Sequence, residues 1–363
     1  MAEVQGASPN DGTLPVRTRL ILAGILVVLG GLSLNLYGRT PARSVVEFSG
    51  AGLGTTWSVK LAEPRLSSAA RQAMTGAIVG QLERVDTLMS TWRDDSELMR
   101  FNATQSLEPF PVAEETAEVV SVALRVAALS GGALDITVGP LVEAWGFGRG
   151  TPPAPPDPAT LVALRERVGW ERLTLDSSPP ALAKGIPTLE LDVSAVAKGY
   201  AVDSIAAAVQ EQGYQSFLVE VGGELRAEGQ HLDGASWRVA IETPDVVGRA
   251  IHQVVSLQGR GMATSGDYRN YYEQDGKRLS HALDPRTGRP VEHGLASVTV
   301  LHATAAEADA WATALQVLGP EAGYALAVDE GLAAYFIVRR DDTFESRVTA
   351  AFTPFLAEKE LGR

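Results

Sequence analysis

Nineteen consecutive residues without a charge, LILAGILVVLGGLSLNLYG from Leu20 to Gly38, set the first constraint on this chain. Wound as a helix, the run would be about 28 Å long, close to the hydrocarbon thickness of a bilayer. Such a segment needs apolar surroundings on every side, so the rest of the chain must build its globular unit without it. Arg17 and Arg19 precede the run after a short polar tail. The positive-inside rule then keeps residues 1–19 in the cytoplasm and sends the downstream chain across the membrane. Arg39 and Arg43 on the far side weaken that asymmetry. A cleaved signal peptide is the competing reading, with Thr40–Ala42 as a poor cleavage site. The run is longer than the usual signal core, which favours an uncleaved anchor over residues 20–38. Residues 39–48 then read as a linker, and residues 49–363 as one large domain.

The chain has 363 residues and is 45% hydrophobic, enough for a sizeable core. Its net charge of −13 argues against a nucleic-acid partner, which would need a basic face for phosphates. There is no cysteine, so disulfides, thiolate metal sites, a cysteine nucleophile and a lipoprotein anchor are all excluded.

Periodicity organises the remainder. Val45–Leu61 reads as strand, turn, strand around GAGLGTTW. Leu66–Ser90 is an amphipathic helix with Met74, Ile78, Leu82, Val85 and Met89 on one stripe. A second helix covers about Glu114–Leu129 and stops at Gly131-Gly132. The proline-rich Thr151–Pro158 is a surface loop. Thr188–Val193 alternates like a strand, and a helix runs from about Ser194 to Gln212. Phe217–Arg226, Trp237–Thr243, Val254–Leu257, Gly261–Tyr272 and Ser297–Leu301 read as strands. Thr304 and Glu307 form a capping box opening a helix to about Leu318. Ala333–Arg339 and Glu345–Ala350 close the pattern. Strands and helices mix without regular βαβ alternation, which predicts an α+β fold.

Several stretches carry more chemistry than a fold needs. In SHALDPRTGRPV, Ser280–Val291, Asp284-Pro285 and Gly288 suit a tight turn, but a turn needs neither His281 nor two arginines. LDVSAVAKGYAVD, Leu191–Asp203, places Lys198 in the first turns of a helix, where anions collect; a capped helix with a surface lysine explains it as well. Asp309 and Thr313 are four apart on the next helix, so they share a face that is otherwise apolar. A carboxylate there wants a partner, and a hard cation such as Mg²⁺ would be one; hydrogen bonds within the protein would serve too. Gly-Gly pairs sit beside Asp135, Glu220 and Glu224, which could bond a ribose, an amide or a ring edge. No dinucleotide or P-loop fingerprint is present. Trp92 comes after a helix end, where an aromatic can stack on a flat ligand or simply pack. No two of the five histidines have the spacing of a helical zinc site.

Together and in this order, GLGTTW, MSTWRDDSELMRFN, GGALDITVGPLVEAWGFG, LDVSAVAKGYAVD, VEVGGELRAEG, the long stretch ending LSHALDPRTGRP, and EADAWATALQVLG resemble the FAD:protein FMN transferases. The resemblance runs from about Gly50 to about Gly319. It implies mixed, mainly antiparallel sheets with packed helices, one domain around a central flavin cleft. It also implies a reaction. FAD is split at its pyrophosphate, the FMN half passes to a Thr or Ser hydroxyl of a partner protein, and AMP leaves. The acceptors implied are extracytoplasmic flavin domains of membrane redox complexes. That agrees with an inner-membrane anchor and a domain in the periplasm.

By the same likeness, Mg²⁺ (or Mn²⁺) is held by Asp309, Thr313 and the backbone carbonyl of Ala195. FAD contacts fall on Leu53, Trp92, Ala133, Leu134, Asp135, Asp192, Lys198 and Leu283. His281 resembles the essential histidine beside the pyrophosphate. Relatives often have Met at position 53, Tyr at 92 and a further polar residue at 312, where this chain has Leu53, Trp92 and Ala312. Two alternatives stay open: a Mg²⁺-dependent FAD pyrophosphatase, and a non-catalytic anchored FAD-binding protein.

Overall fold

The computed structural model describes residues 45–149, 155–244, 250–257, 259–267, 271–274, 277–341 and 343–357, with backbone alone for 271–274 and 277–279. The apolar run Leu20–Gly38 and residues 151–154 of the proline-rich loop lie outside the described residues. Among those described, no helix is long and apolar enough to cross a membrane.

In chain order the elements are β1 (Val46–Gly52), β2 (Thr55–Leu61), α1 (Ser68–Met89), α2 (Glu97–Ala103), β3 (Phe110–Pro111), α3 (Glu114–Leu129), α4 (Gly139–Ala144), α5 (Pro158–Arg165), β4 (Leu173–Ser177) and β5 (Pro180–Lys184). Next come α6 (Ser194–Glu211), β6 (Phe217–Val221), β7 (Glu224–Glu228), β8 (Trp237–Glu242), β9 (Ile251–Leu257), β10 (Gly261–Gly266), β11 (Tyr271–Gln274) and β12 (Lys277–Ser280). The last are β13 (Leu283–Asp284), β14 (Arg289–Pro290), β15 (Leu295–His302), α7 (Ala305–Asp329), β16 (Ala333–Arg340) and β17 (Thr343–Val348).

One eight-stranded sheet in the order β1-β2-β6-β7-β10-β15-β16-β17 forms the frame. Every neighbouring pair in it is antiparallel. Smaller sheets stand beside it, among them β3-β5-β4 and the β8-β9 hairpin. The α+β, mainly antiparallel expectation is met.

Side-chain alternation explains the layers. On β16, Ala334, Phe336 and Val338 face the apolar cluster shared with α3 and α7. Tyr335 and Ile337 face the other way, onto Trp237, Val255 and Leu257 of the β8-β9 hairpin. The central sheet is therefore buried on both sides, and β15 is buried without interruption from Leu295 to Leu301. At the β1-β2-β6 end, α1 supplies Met74, Ile78 and Leu82, and α6 supplies Val202, Ile205 and Val209. The stripe expected on α1 is the face that is buried.

Two contacts set the geometry that matters for the site. Asp203 on α6 accepts from the first two amides of α7, Ala305 N at 3.0 Å and Ala306 N at 2.9 Å. Gly199, one turn earlier, touches the same point: a Cβ there would meet the Ala305 carbonyl at 2.3 Å. Only a residue without a side chain lets these helices come so close. The capping box is half made. Thr304 Oγ1 accepts from Glu307 N at 3.2 Å, while the Glu307 carboxylate pairs with Arg125.

Several boundaries differ from expectation. Thr188–Val193 is not a strand. Its alternation is real, with Leu189, Leu191 and Val193 buried, but Asn102 takes both Leu191 N (2.8 Å) and Leu191 O (2.9 Å). Asp192 N goes to Ile136 O at 2.7 Å, so side chain and loop replace a ladder. Phe217–Arg226 folds back at Gly222-Gly223, both at positive φ (64° and 108°), which a two-residue hairpin loop requires. The segment expected as one strand from Gly261 to Tyr272 is β10 and then, separately, β11, which pairs with β12. The helix expected to stop near Leu318 does break there, at Gly319 (φ 80°) before Pro320, but a second helical segment continues without a loop to Asp329.

Candidate active site

A cavity of about 1420 Å³ opens between the sheet, the start of α6, the middle of α7 and the His281 loop. That is roomier than the roughly 300–1,000 Å³ of an ordinary small-molecule pocket and suits a dinucleotide-sized ligand. Trp92, Ala133, Leu134, Asp135, Asp192, Ala195, Lys198, His281, Leu283, Asp309 and Thr313 all line it. Leu53, expected at the flavin, does not. It sits at the β1-β2 turn with φ 52°, partly buried against two apolar clusters, while Thr55 and Thr56 beside it reach the cavity. A branched side chain in the left-handed region is unfavourable, so packing has overruled local preference at this turn.

The densest chemistry is a buried charge cluster. Lys198 Nζ lies 3.4 Å from Asp309 Oδ2 and 3.5 Å from Glu224 Oε1. It also donates to Ser194 O at 3.3 Å. Asp309 is 5% exposed and Glu224 4%, and Glu224 Oε2 has no hydrogen-bond partner among the described residues. Two buried acids share one base. Burial pushes the Glu224 carboxyl up to about 8, with Lys198 opposing the shift. Burial raises Asp309 as well, again against Lys198. For Lys198 burial works downward, but Asp309 and Glu224 outweigh it and hold the ammonium above its usual range. The cluster is short of positive charge.

Whether a divalent ion suits these residues is decided by the donors. Among the described residues, no three His, Asp or Glu side chains are grouped to hold a metal. Asp309, Thr313 and the Ala195 carbonyl are nevertheless all hard oxygen donors on one cavity wall. Gly199 N, which a regular helix pairs with that carbonyl, donates to Asp309 Oδ2 at 3.1 Å. The Ala195 carbonyl at most shares its donor. One carboxylate, one hydroxyl and one carbonyl fit Mg²⁺, which keeps several waters and completes its shell with phosphate oxygens. Ala312 is buried in the helix-side apolar cluster and adds no ligand.

His281 stands between β12 and β13, edge-on to Phe147 with ring centroids 6.4 Å apart. The turn behind it is rigid. Asp284 accepts from Arg286 N (2.9 Å) and Arg286 Nε (2.8 Å), and Gly288 N returns to Asp284 O at 2.8 Å. Trp145 Nε1 donates to Gly288 O at 2.8 Å, and Leu283 packs with Leu141, Trp145 and Leu161. Asp284 and Arg286 are thus explained by the turn, and the histidine is the residue that the turn presents.

Other predicted contacts are more structural than a ligand role alone requires. Asp135 is buried and already accepts from Thr137 N (2.8 Å), Thr137 Oγ1 (2.6 Å) and Trp170 N (3.0 Å). It shapes the loop whose Ala133 and Leu134 meet the cavity. Asp192 Oδ1 accepts from Ser194 N, the first residue of α6, at 2.9 Å. Trp92 is 68% exposed at the cavity wall, free of any apolar stripe. Two cavity residues have roles that spacing did not show. Glu224 was visible beside a Gly-Gly pair, but its lysine lies 26 positions away. Asn102 ends the motif MSTWRDDSELMRFN, yet its partner Leu191 is 89 positions on.

The sequence matches the ApbE family over residues 53–336. This chain belongs to the ApbE family. The ApbE match takes in every residue that lines the cavity. The chain is 42% identical over 343 residues to the FAD:protein FMN transferase of Escherichia coli K12, covering 94% of this chain and 97% of that protein. The FAD:protein FMN transferase of Vibrio cholerae is 43% identical over 335 residues, 92% of this chain and 99% of its own. Among ApbE structures, that of the flavin transferase from Vibrio cholerae superposes with a TM-score of 0.79 at 42% identity, over 86% of this chain and 99% of that one.

Proposed function

We propose that this chain transfers the FMN half of FAD to a Thr or Ser hydroxyl of an acceptor protein, releasing AMP. The single observation that carries this is the meeting of Lys198, Asp309, Thr313, the Ala195 carbonyl and His281 in one cavity of dinucleotide size. The names of the ApbE relatives point the same way.

In the transfer, the bond between the FMN phosphorus and the bridging pyrophosphate oxygen breaks, and the acceptor oxygen takes its place. AMP leaves with the bridging oxygen. A bound Mg²⁺, held by Asp309, Thr313 and Ala195 O, would supply Lewis-acid stabilisation of the non-bridging oxygens. Lys198 adds a fixed positive charge at the same place; one such electrostatic group is typically worth about 3–4 kcal/mol. His281 accepts the acceptor hydroxyl proton as general base. Leu134 and Leu283 contribute apolar wall to the cavity.

The setting proposed for this chemistry is the periplasmic face of the inner membrane, with Leu20–Gly38 as anchor and flavin domains of membrane redox complexes as acceptors. The test is co-expression with such a domain and then mass spectrometry. Addition of FMN to a Thr or Ser is the expected result. Free FMN and AMP without a modified acceptor would favour a pyrophosphatase, and bound FAD with no AMP under any condition would favour a carrier.

A further inference from the structure

We infer that Glu224 is a positioning residue that keeps Lys198 in place when a divalent ion takes Asp309. This rests on the transferase reading, with Asp309 as a metal ligand. Lys198 has two carboxylates within 3.5 Å, Asp309 Oδ2 and Glu224 Oε1. Asp309 Oδ2 already accepts from Gly199 N at 3.1 Å, so an ion arriving at this carboxylate competes with two donors. The ion and the ammonium are both positive, and they repel in a site with little water to screen them. Lys198 can stay beside the ion only if another anion holds it. Glu224 is that anion once the ion draws off Asp309; in the metal-free chain burial, together with the charge of Asp309, favours the protonated form of Glu224. It is 4% exposed, it begins β7 directly after the Gly222-Gly223 turn, and its second oxygen has no hydrogen-bond partner among the described residues. The tightness of the turn keeps it there. A Cβ on Gly222 would lie 3.0 Å from Thr55 Cγ2, 3.4 Å from Glu224 Oε2 and 3.4 Å from Lys198 Cδ.

The arrangement works as an exchange of partners. Without the ion, Lys198 is shared between Asp309 and Glu224. With the ion, Asp309 turns to the metal and Glu224 retains Lys198, whose charge faces the substrate diphosphate. Removing Glu224 leaves Asp309 as the sole carboxylate partner of Lys198 among the described residues, and the ion must then break that pair with nothing there to replace it. Glu224 therefore acts on ion binding through Lys198 and not as a ligand of its own.

The experiment is a double-mutant cycle read by calorimetric titration of Mg²⁺ into the metal-free full chain, without FAD. Glu224→Gln is expected to weaken Mg²⁺ binding about tenfold, within the range of couplings between residues in contact. Lys198→Met is expected to strengthen it by removing the competing cation. In the Lys198→Met background, Glu224→Gln should change affinity less than about threefold. Equal losses in both backgrounds would make Glu224 a ligand or a remote charge and overturn the proposal, as would no loss in either. Glu224→Asp, which keeps the charge but withdraws it from Lys198, should behave like Glu224→Gln; wild-type affinity in that variant would also overturn it. A wild-type chain that binds no Mg²⁺ would remove the metal reading itself, a result distinct from a wild-type chain that binds the ion without coupling.

Discussion

A Cβ atom on Gly199 would lie 2.3 Å from the Ala305 carbonyl oxygen and 2.7 Å from Ala306 Cα. The two helices that carry Lys198 and Asp309 therefore meet at a point where no side chain fits. Gly199→Ala is expected to push them apart, at about 1–3 kcal/mol as for other overpacked sites. Because Gly199 N also bonds Asp309, Mg²⁺ affinity should drop with stability. Denaturant midpoints and ion titration on the same variant check this. Wild-type values for both would show that the helices can part without consequence.

The buried acids predict an unusual pH response in chelator-treated protein. Glu224 is pushed up to about 8 by burial, so the folded chain holds a proton that an unfolded glutamate releases near 4.3. Its contribution to stability is fully present below about 4.3 and is lost as pH rises through about 8. The thermal midpoint should fall from pH 5 to pH 8, by at most about 1.4 kcal/mol of stability per pH unit for one proton. Glu224→Gln should flatten that slope. Parallel slopes in the two proteins would clear Glu224 of any part in the pH response.

Under the proposed mechanism, His281 carries the chemistry and Asp284, three residues on, the scaffolding. His281→Asn is expected to lower transfer by about 10²–10⁴-fold while FAD binding stays within a few-fold. Asp284→Asn keeps an acceptor for Arg286 N and should transfer at near wild-type rate. Rates from an acceptor gel-shift and affinities from flavin fluorescence decide it. Loss of transfer in Asp284→Asn with His281→Asn active would reverse the assignment.

Trp92 is exposed and stands on the cavity wall. If it stacks on a ring of FAD, Trp92→Ala should raise KM for FAD roughly fivefold, corresponding to about 1 kcal/mol, with little change in kcat. Trp92→Tyr should restore most of the loss. An unchanged KM in Trp92→Ala would leave the side chain without a ligand.

Much of the fold was legible because local signals were strong. Met74, Ile78 and Leu82 recur at helical spacing, Gly131-Gly132 ends α3, and Thr304 caps α7 as its sequence suggests. Thr188–Val193 misled for a physical reason. Alternating burial needs only an extended backbone, and Asn102 supplied the hydrogen bonds that a neighbouring strand would have made. Leu53 departs from expectation for the opposite reason: packing against two clusters holds it in a backbone region that a leucine avoids. The residue types of the site could be picked out as motifs, since Asp309, Thr313, Lys198 and His281 are more polar than their surroundings demand.

The sequence by itself determined the long helices α1, α3 and α6, the β1-β2 hairpin and the polar residues set into apolar stretches, because those arise from periodicity, capping and turn chemistry over a few positions. Only the tertiary structure decided that Lys198 lies between Asp309 and Glu224, partners 111 and 26 positions away along the chain. That juxtaposition depends on how closely α6 can approach α7 at Gly199. Such contacts depend on shape across the fold, and no local spacing encodes them.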